Sequence, residues 1–205
     1  MEHIVQIPSS YHSQASCPLW LVLHGAFARA EQALAMFGAE ATEHGAFLLA
    51  PQATRSCGDG YCWSFARDAK AIQHLIETTC DTYPIDRTRL SLIGYSMGCT
   101  MGLWLIAQSP GMFPFFAALG MGSAFEPWEH DDSGIDREGL SASAGMTRIL
   151  LAVDQSDPAG TNSYFNDNLR QLRGLGLQVE TFRPDAGTHV VTEEMKKTVL
   201  QAMPK

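Results

Sequence analysis

The sequence predicts an α/β domain with a mostly parallel central sheet and helices on both of its faces. Apolar runs of about five residues recur along the chain, and their near-continuous apolar character suits strands buried on both sides of a parallel sheet. Stretches with helical spacing lie between them, and that alternation calls for helices on both faces. No repeat, low-complexity tract or linker breaks the pattern, so residues 1–205 read as one domain.

In chain order, His3-Ile4-Val5-Gln6-Ile7 alternates and starts the sheet as an antiparallel edge strand. Residues 19–23 (LWLVL) form the first central strand, 30–44 a helix and 46–50 (AFLLA) the next strand. A loop at 55–63 leads to a helix over 66–83, where Ser64 is placed to cap the free N–H groups and Pro84 lies just past the end. Residues 90–93 form a strand, 97–108 a helix and 115–119 a strand. Residues 122–145 show no clear pattern, and an irregular loop of that length is more often functional than idle. A strand at 149–153, a helix at 163–175 closed by Gly174 and Gly176, a strand nearer the sheet edge at 178–182 and a helix at 192–203 complete the reading.

Composition narrows the function. A chain of 205 residues buries roughly 70% of the surface its unfolded form exposes and needs no metal or disulfide to hold a core. Fourteen Lys and Arg against 22 Asp and Glu give a formal charge of −8, with no clustered cations, which excludes nucleic acid as a partner and disfavours anionic lipid. Residues 90–125 lack Asp, Glu, Lys and Arg, yet their glycines and prolines punctuate them too often for a membrane span. The start, MEHIV, has neither the basic residues nor the apolar run of a secretory signal, so the expected location is cytoplasmic unless a leader precedes it. Five cysteines leave at least one unpaired, which leans the same way.

The chemistry centres on Gly94-Tyr95-Ser96-Met97-Gly98, which follows one strand and opens a helix. A serine at such a sharp turn is lifted above the sheet in a strained backbone, and the flanking glycines remove side chains that would collide. A serine hydroxyl needs a base. His189, in the short loop between the last strand and the last helix, lies on the same sheet edge; His3, His12, His44, His74 and His130 read as surface or packing residues. The imidazole in turn needs an acid to set its tautomer. Asp157 sits just beyond strand 149–153, with Asp154 in reserve; Asp154 is so close to the strand that backbone bonding in the turn suits it better, and Asp185 suits the His189 loop. His24-Gly25-Ala26 ends the first central strand, where the N–H of Ala26 and that of Met97 would face a developing oxyanion and His24 would shape the loop.

These motifs, in this order and spacing, resemble the α/β-hydrolase superfamily, and within it the small lidless serine esterases. Trp63-Ser64-Phe65 and Ile85-Asp86-Arg87-Thr88-Arg89-Leu90 are similar to the phospholipase/carboxylesterase and the feruloyl-esterase/polyhydroxybutyrate-depolymerase-like families, while Met97 and Cys99 depart from the usual elbow. The resemblance implies hydrolysis of a small-molecule carboxylic ester through an acyl-enzyme, without a cofactor. Small or medium acyl groups are expected, since residues 122–145 are too few for a cap domain and leave the cleft open. A thioesterase or lysophospholipase, and a hydrolase-shaped ligand-binding protein, are the alternatives. Tyr61 and Trp63 on one loop and Phe125 and Trp128 on the other are expected to line the pocket. Cys57 and Cys62 can bridge, bind metal or stay as thiols, and a bridge would move the expected location outward. Glu129-His130-Asp131-Asp132 reads as a solvated acidic loop, so no metal is expected. Oligomeric state, monomer or dimer, is left open.

Overall fold

The computed structural model describes residues 1–12, 16–126 and 134–204. Among them a seven-stranded sheet runs in the order β1-β3-β2-β6-β7-β8-β9, formed by His3–Gln6, Phe47–Pro51, Cys17–Leu23, Ile85–Tyr95, Phe115–Leu119, Arg148–Ala152 and Gln178–Phe182. The β1 strand pairs antiparallel with β3 and the others pair in parallel. The order reverses between β2 and β6, because β3 lies on one side of β2 and everything from β6 onward on the other. Such a reversal opens a crevice at the carboxyl ends of the two strands.

Period-two alternation assigns the strand side chains to opposite faces. Leu19, Leu21 and Leu23 of β2 join Leu92, Phe116 and Leu151 in one core, while Trp20 and Val22 join Ile93, Ala117 and Leu150 in the other. Helices α1 (Ala30–Glu43) and α6 (Glu193–Ala202) cover the second core through Phe37 and Val199. Helices α2 (Phe65–Thr82), α3 (Met97–Gln108) and α5 (Phe165–Gly174) cover the first through Ile72, Leu103 and Leu172. Each such side chain contributes about 1.5–3 kcal/mol on burial. Helix α3 is buried at every position from Met97 to Ala107, which explains its lack of charge. Among the described residues no helix is long and apolar enough to cross a membrane.

Three local expectations change. The expected loop at 55–63 contains an antiparallel hairpin, β4 (Arg55–Cys57) and β5 (Gly60–Cys62), closed by a Cys57–Cys62 disulfide. Ser64 precedes α2 without a side-chain cap; buried Asp68 instead accepts from Ser64 N and Thr54 N, and Thr54 Oγ1 donates to it. Within 122–145 a short helix, α4 (Arg137–Ala142), forms behind a true Asx cap from Asp136. Trp128 and the run Glu129-His130-Asp131-Asp132 lie outside the described residues.

Candidate active site

The carboxyl edge of the sheet gathers the predicted residues. Ser96 links β6 to α3 at φ 51° and ψ −119°, a conformation that costs a non-glycine residue about 1–3 kcal/mol. The strain is held by a bond from Ser96 N to Leu119 O (2.8 Å) and one from Cys99 N to Ser96 O (2.9 Å). A Cβ on Gly94 would lie 2.6 Å from Gly98 O, and one on Gly98 would lie 2.5 Å from Leu23 O, so the elbow closes only with glycine at both places. Cys99, the unusual residue after it, is buried beneath the turn, and its Sγ contacts the carbonyls of Gly94 and Leu119; burial pushes its thiol pKa up.

His189 stands between the other two candidates. Its Nδ1 is 2.7 Å from Asp157 Oδ2 and its Nε2 is 3.2 Å from Ser96 Oγ. A carboxylate only accepts, so Nδ1 carries the proton and Nε2 is left to accept from the serine hydroxyl. The Asp157 side chain is 1% exposed and that of His189 23%. Burial opposes ionisation of Asp157, but Thr161 Oγ1, His189 Nδ1 and Ala159 N donate to it and together hold its pKa below the ordinary carboxyl value. Asp154 is buried nearby and has another part: it accepts from Ser156 N (2.8 Å), Ala186 N (2.7 Å) and Gly187 N (3.2 Å), tying the loop that follows β8 to the loop that carries His189. Tyr95 anchors the same loop by donating its hydroxyl to His189 O. Burial first, then the charge of Asp157 and the neighbouring Cys99, push the Tyr95 pKa up to about 12, so the phenol stays a donor.

His24 is fully buried at the end of β2. Its Nδ1 is 2.7 Å from Gly25 O, its Nε2 accepts from Ala53 N (3.1 Å), and Trp63 stacks on its ring at 4.6 Å while donating Nε1 to His24 O (2.8 Å). Burial lowers its pKa against the opposing pull of the Gly25 bond and the Asp68 and Glu31 charges, so it stays neutral and shapes the loop. That loop presents Ala26 beside Ser96 and Met97, and the Met97 N–H, at the first turn of α3, has no partner inside the helix.

A cavity of about 570 Å³ opens over Ser96. Trp63 lines it although only 1% exposed, alongside Ala26, Met97, Phe27 and Tyr164. Tyr61 and Phe125, both expected in the pocket, are not among its lining residues. Tyr61 packs beneath Arg29 (5.1 Å to the ring) and bridges to Ala28, and Phe125 packs beneath Arg137 (4.9 Å). Position at the carboxyl edge of the sheet and aromatic character point both to the pocket, but the same character serves packing equally well. Arg55 lines the cavity from the 55–63 loop expected to form a wall, and strand alternation in the hairpin is what singles it out; Phe27 and Tyr164 also line the cavity, and no pattern in the sequence marks them.

The Esterase family model, described as "Putative esterase", matches residues 1–180, a span holding Ser96 and Asp157 and ending nine residues before His189. Solved structures are similar over nearly the whole chain. Esterase PE8 is 17% identical with a TM-score of 0.73, covering 98% of both chains. The Bacillus cereus carboxylesterase is 15% identical with a TM-score of 0.73, covering 98% of this chain and 92% of that one. The Mesorhizobium loti carboxylesterase is 18% identical with a TM-score of 0.72, covering 92% and 88%. No curated protein sequence matches significantly. The fold is that of the α/β-hydrolases, and the chain belongs to the esterase family, whose members hydrolyse carboxylic esters.

Proposed function

We infer that the chain, acting as one domain, is a serine carboxylesterase for small or medium acyl groups, with Ser96 as nucleophile, His189 as base and Asp157 as orienting acid. The observation that carries this reading is His189 within hydrogen-bonding reach of both Asp157 Oδ2 and Ser96 Oγ. Ser96 Oγ attacks the ester carbonyl while its proton passes to His189 Nε2. The oxyanion is taken by the N–H groups of Ala26 and Met97, each worth roughly 3–4 kcal/mol. Asp157 stabilises the imidazolium, which then protonates the departing alcohol. Water, deprotonated by the same nitrogen, attacks the acyl-enzyme and releases the acid and Ser96. A cavity of about 570 Å³ suits a small organic ester.

The test is hydrolysis of p-nitrophenyl esters from acetate to palmitate by wild type and Ser96→Ala, with fluorophosphonate labelling of both. Activity peaking at short or medium chains, abolished with the label in Ser96→Ala, is the expected result. A long-chain peak favours a lysophospholipase or thioesterase, and a folded wild type that neither turns over nor labels favours a ligand-binding protein. The Cys57–Cys62 bond supports an oxidising compartment in place of the cytoplasm. Alkylation of the unfolded, unreduced protein should then modify three of the five cysteines, and modification of all five would overturn that placement.

A further inference from the structure

Strand alternation in β4 turns Arg55 and Cys57 toward the cavity and leaves Ser56 exposed outside. Arg55 stands in register with Cys62, so the disulfide holds the short strand that presents it. Its Nε is buried and, among the described residues, has no hydrogen-bond partner. Among the described residues no carboxylate pairs with its guanidinium; Glu126, the other charged residue lining the cavity, is exposed and makes no ion pair with it. The remaining arginines differ: Arg67 is exposed, and the others are engaged by a carboxylate, a carbonyl or an amide.

A guanidinium stays charged at any physiological pH, and a buried donor without an acceptor is costly. In a chain of net charge −8, acidic side chains are plentiful, yet none among the described residues answers this cation. The acceptor that completes the site then comes with the ligand, and the planar fork of donors matches a carboxylate in two-point contact. We propose that the preferred substrates are half-esters, carboxylic esters whose far end carries an ionised carboxylate that Arg55 holds while the ester carbonyl meets Ser96. This rests on the reading of Ser96, His189 and Asp157 given above.

The test compares monomethyl glutarate with methyl 5-methylhexanoate, in which an isopropyl group replaces the carboxylate at nearly the same shape. The quantity read is the ratio of their kcat/KM values by proton release. Wild type should favour the half-ester by roughly tenfold or more, the scale of one charge-assisted hydrogen bond. Arg55→Met should bring the ratio to about one or below, and Arg55→Lys should keep part of it. A wild-type ratio of one or less, or one unmoved in Arg55→Met, overturns the proposal. If Arg55→Met fails to fold, wild-type inhibition decides: glutarate should compete with the uncharged ester more strongly than glutaramide, and equal inhibition overturns the proposal. Failure of the underlying assignment shows separately, as Ser96→Ala hydrolysing the uncharged ester as fast as wild type.

Discussion

Replacing Asp157 by Asn tests the proton inventory of the site without emptying it. Oδ1 accepts from Ala159 N at 2.7 Å, while Oδ2 accepts from His189 Nδ1 at 2.7 Å and from the Thr161 hydroxyl. An amide has one accepting oxygen, and the Ala159 N–H, which only donates, claims it. The NH2 then faces His189 and Thr161. The threonine hydroxyl can turn to accept, but the imidazole meets an N–H and must leave Nδ1 bare. Its proton moves to Nε2, which now donates toward Ser96 Oγ where it had accepted, so the base is inverted with the geometry intact. Such a tautomer error lowers kcat by about 10⁴, or roughly 5 kcal/mol at 1.36 kcal/mol per decade. Asp157→Ala imposes no tautomer and should keep more activity than Asp157→Asn. Steady-state kcat on p-nitrophenyl butyrate, with circular dichroism to confirm folding, is the assay. An asparagine variant within about tenfold of wild type, or more active than the alanine variant, would refute the reasoning.

Two further outcomes follow from the same geometry. The Cys57–Cys62 bridge closes a loop with a sequence separation of 5, for which loop-closure entropy gives about 2 kcal/mol. Reduction should therefore lower Tm by about 4–8 °C in a chain of this size, and calorimetry that shows no shift after complete reduction would contradict this. Because the folded His24 has its pKa held below 6.5, the unfolded chain binds more protons once the pH falls under that value. The stability contribution of His24 is thus full above about pH 6.5 and declines on acidification, by at most about 1.4 kcal/mol per pH unit. Urea denaturation between pH 7.5 and 5 should show a shallower dependence for His24→Gln, and identical slopes would remove the assignment.

The sheet was legible because both faces of β2, β6 and β7 are buried, so their residues had to be apolar whatever packs on them. Helix boundaries at α1 and α3 fell within a residue for a similar reason: Glu43 and Gln108 mark where burial ends. The elbow was legible because Gly94 and Gly98 answer to backbone collisions between neighbouring segments of chain. Asp157 and His189 were read from strand-end position, whereas Thr161, which donates to Asp157, carries no pattern of its own. The pocket walls were read least well. Tyr61 and Phe125 look like lining residues in sequence, but whether an aromatic ring faces a cavity or an arginine depends on contacts between distant segments. The β4–β5 hairpin escaped because three-residue strands are too short for periodicity to speak.

That hairpin also leans on the loop that carries Ala26. Tyr61 N donates to Ala28 O at 3.1 Å, and a Cβ on Gly60 would lie 2.1 Å from Phe27 O, so the two segments touch backbone to backbone. Phe27, at φ 60° and 67% exposed, is kept in its left-handed conformation beside that contact. One face of the hairpin therefore meets the cavity while the outer edge of β5 bridges to the segment that follows Ala26. Substitutions at Arg55 and at Phe27 should be coupled through this shared strut, so that their free energies in a double-mutant cycle do not add; a change made at the cavity wall is expected to be felt in the loop that carries Ala26.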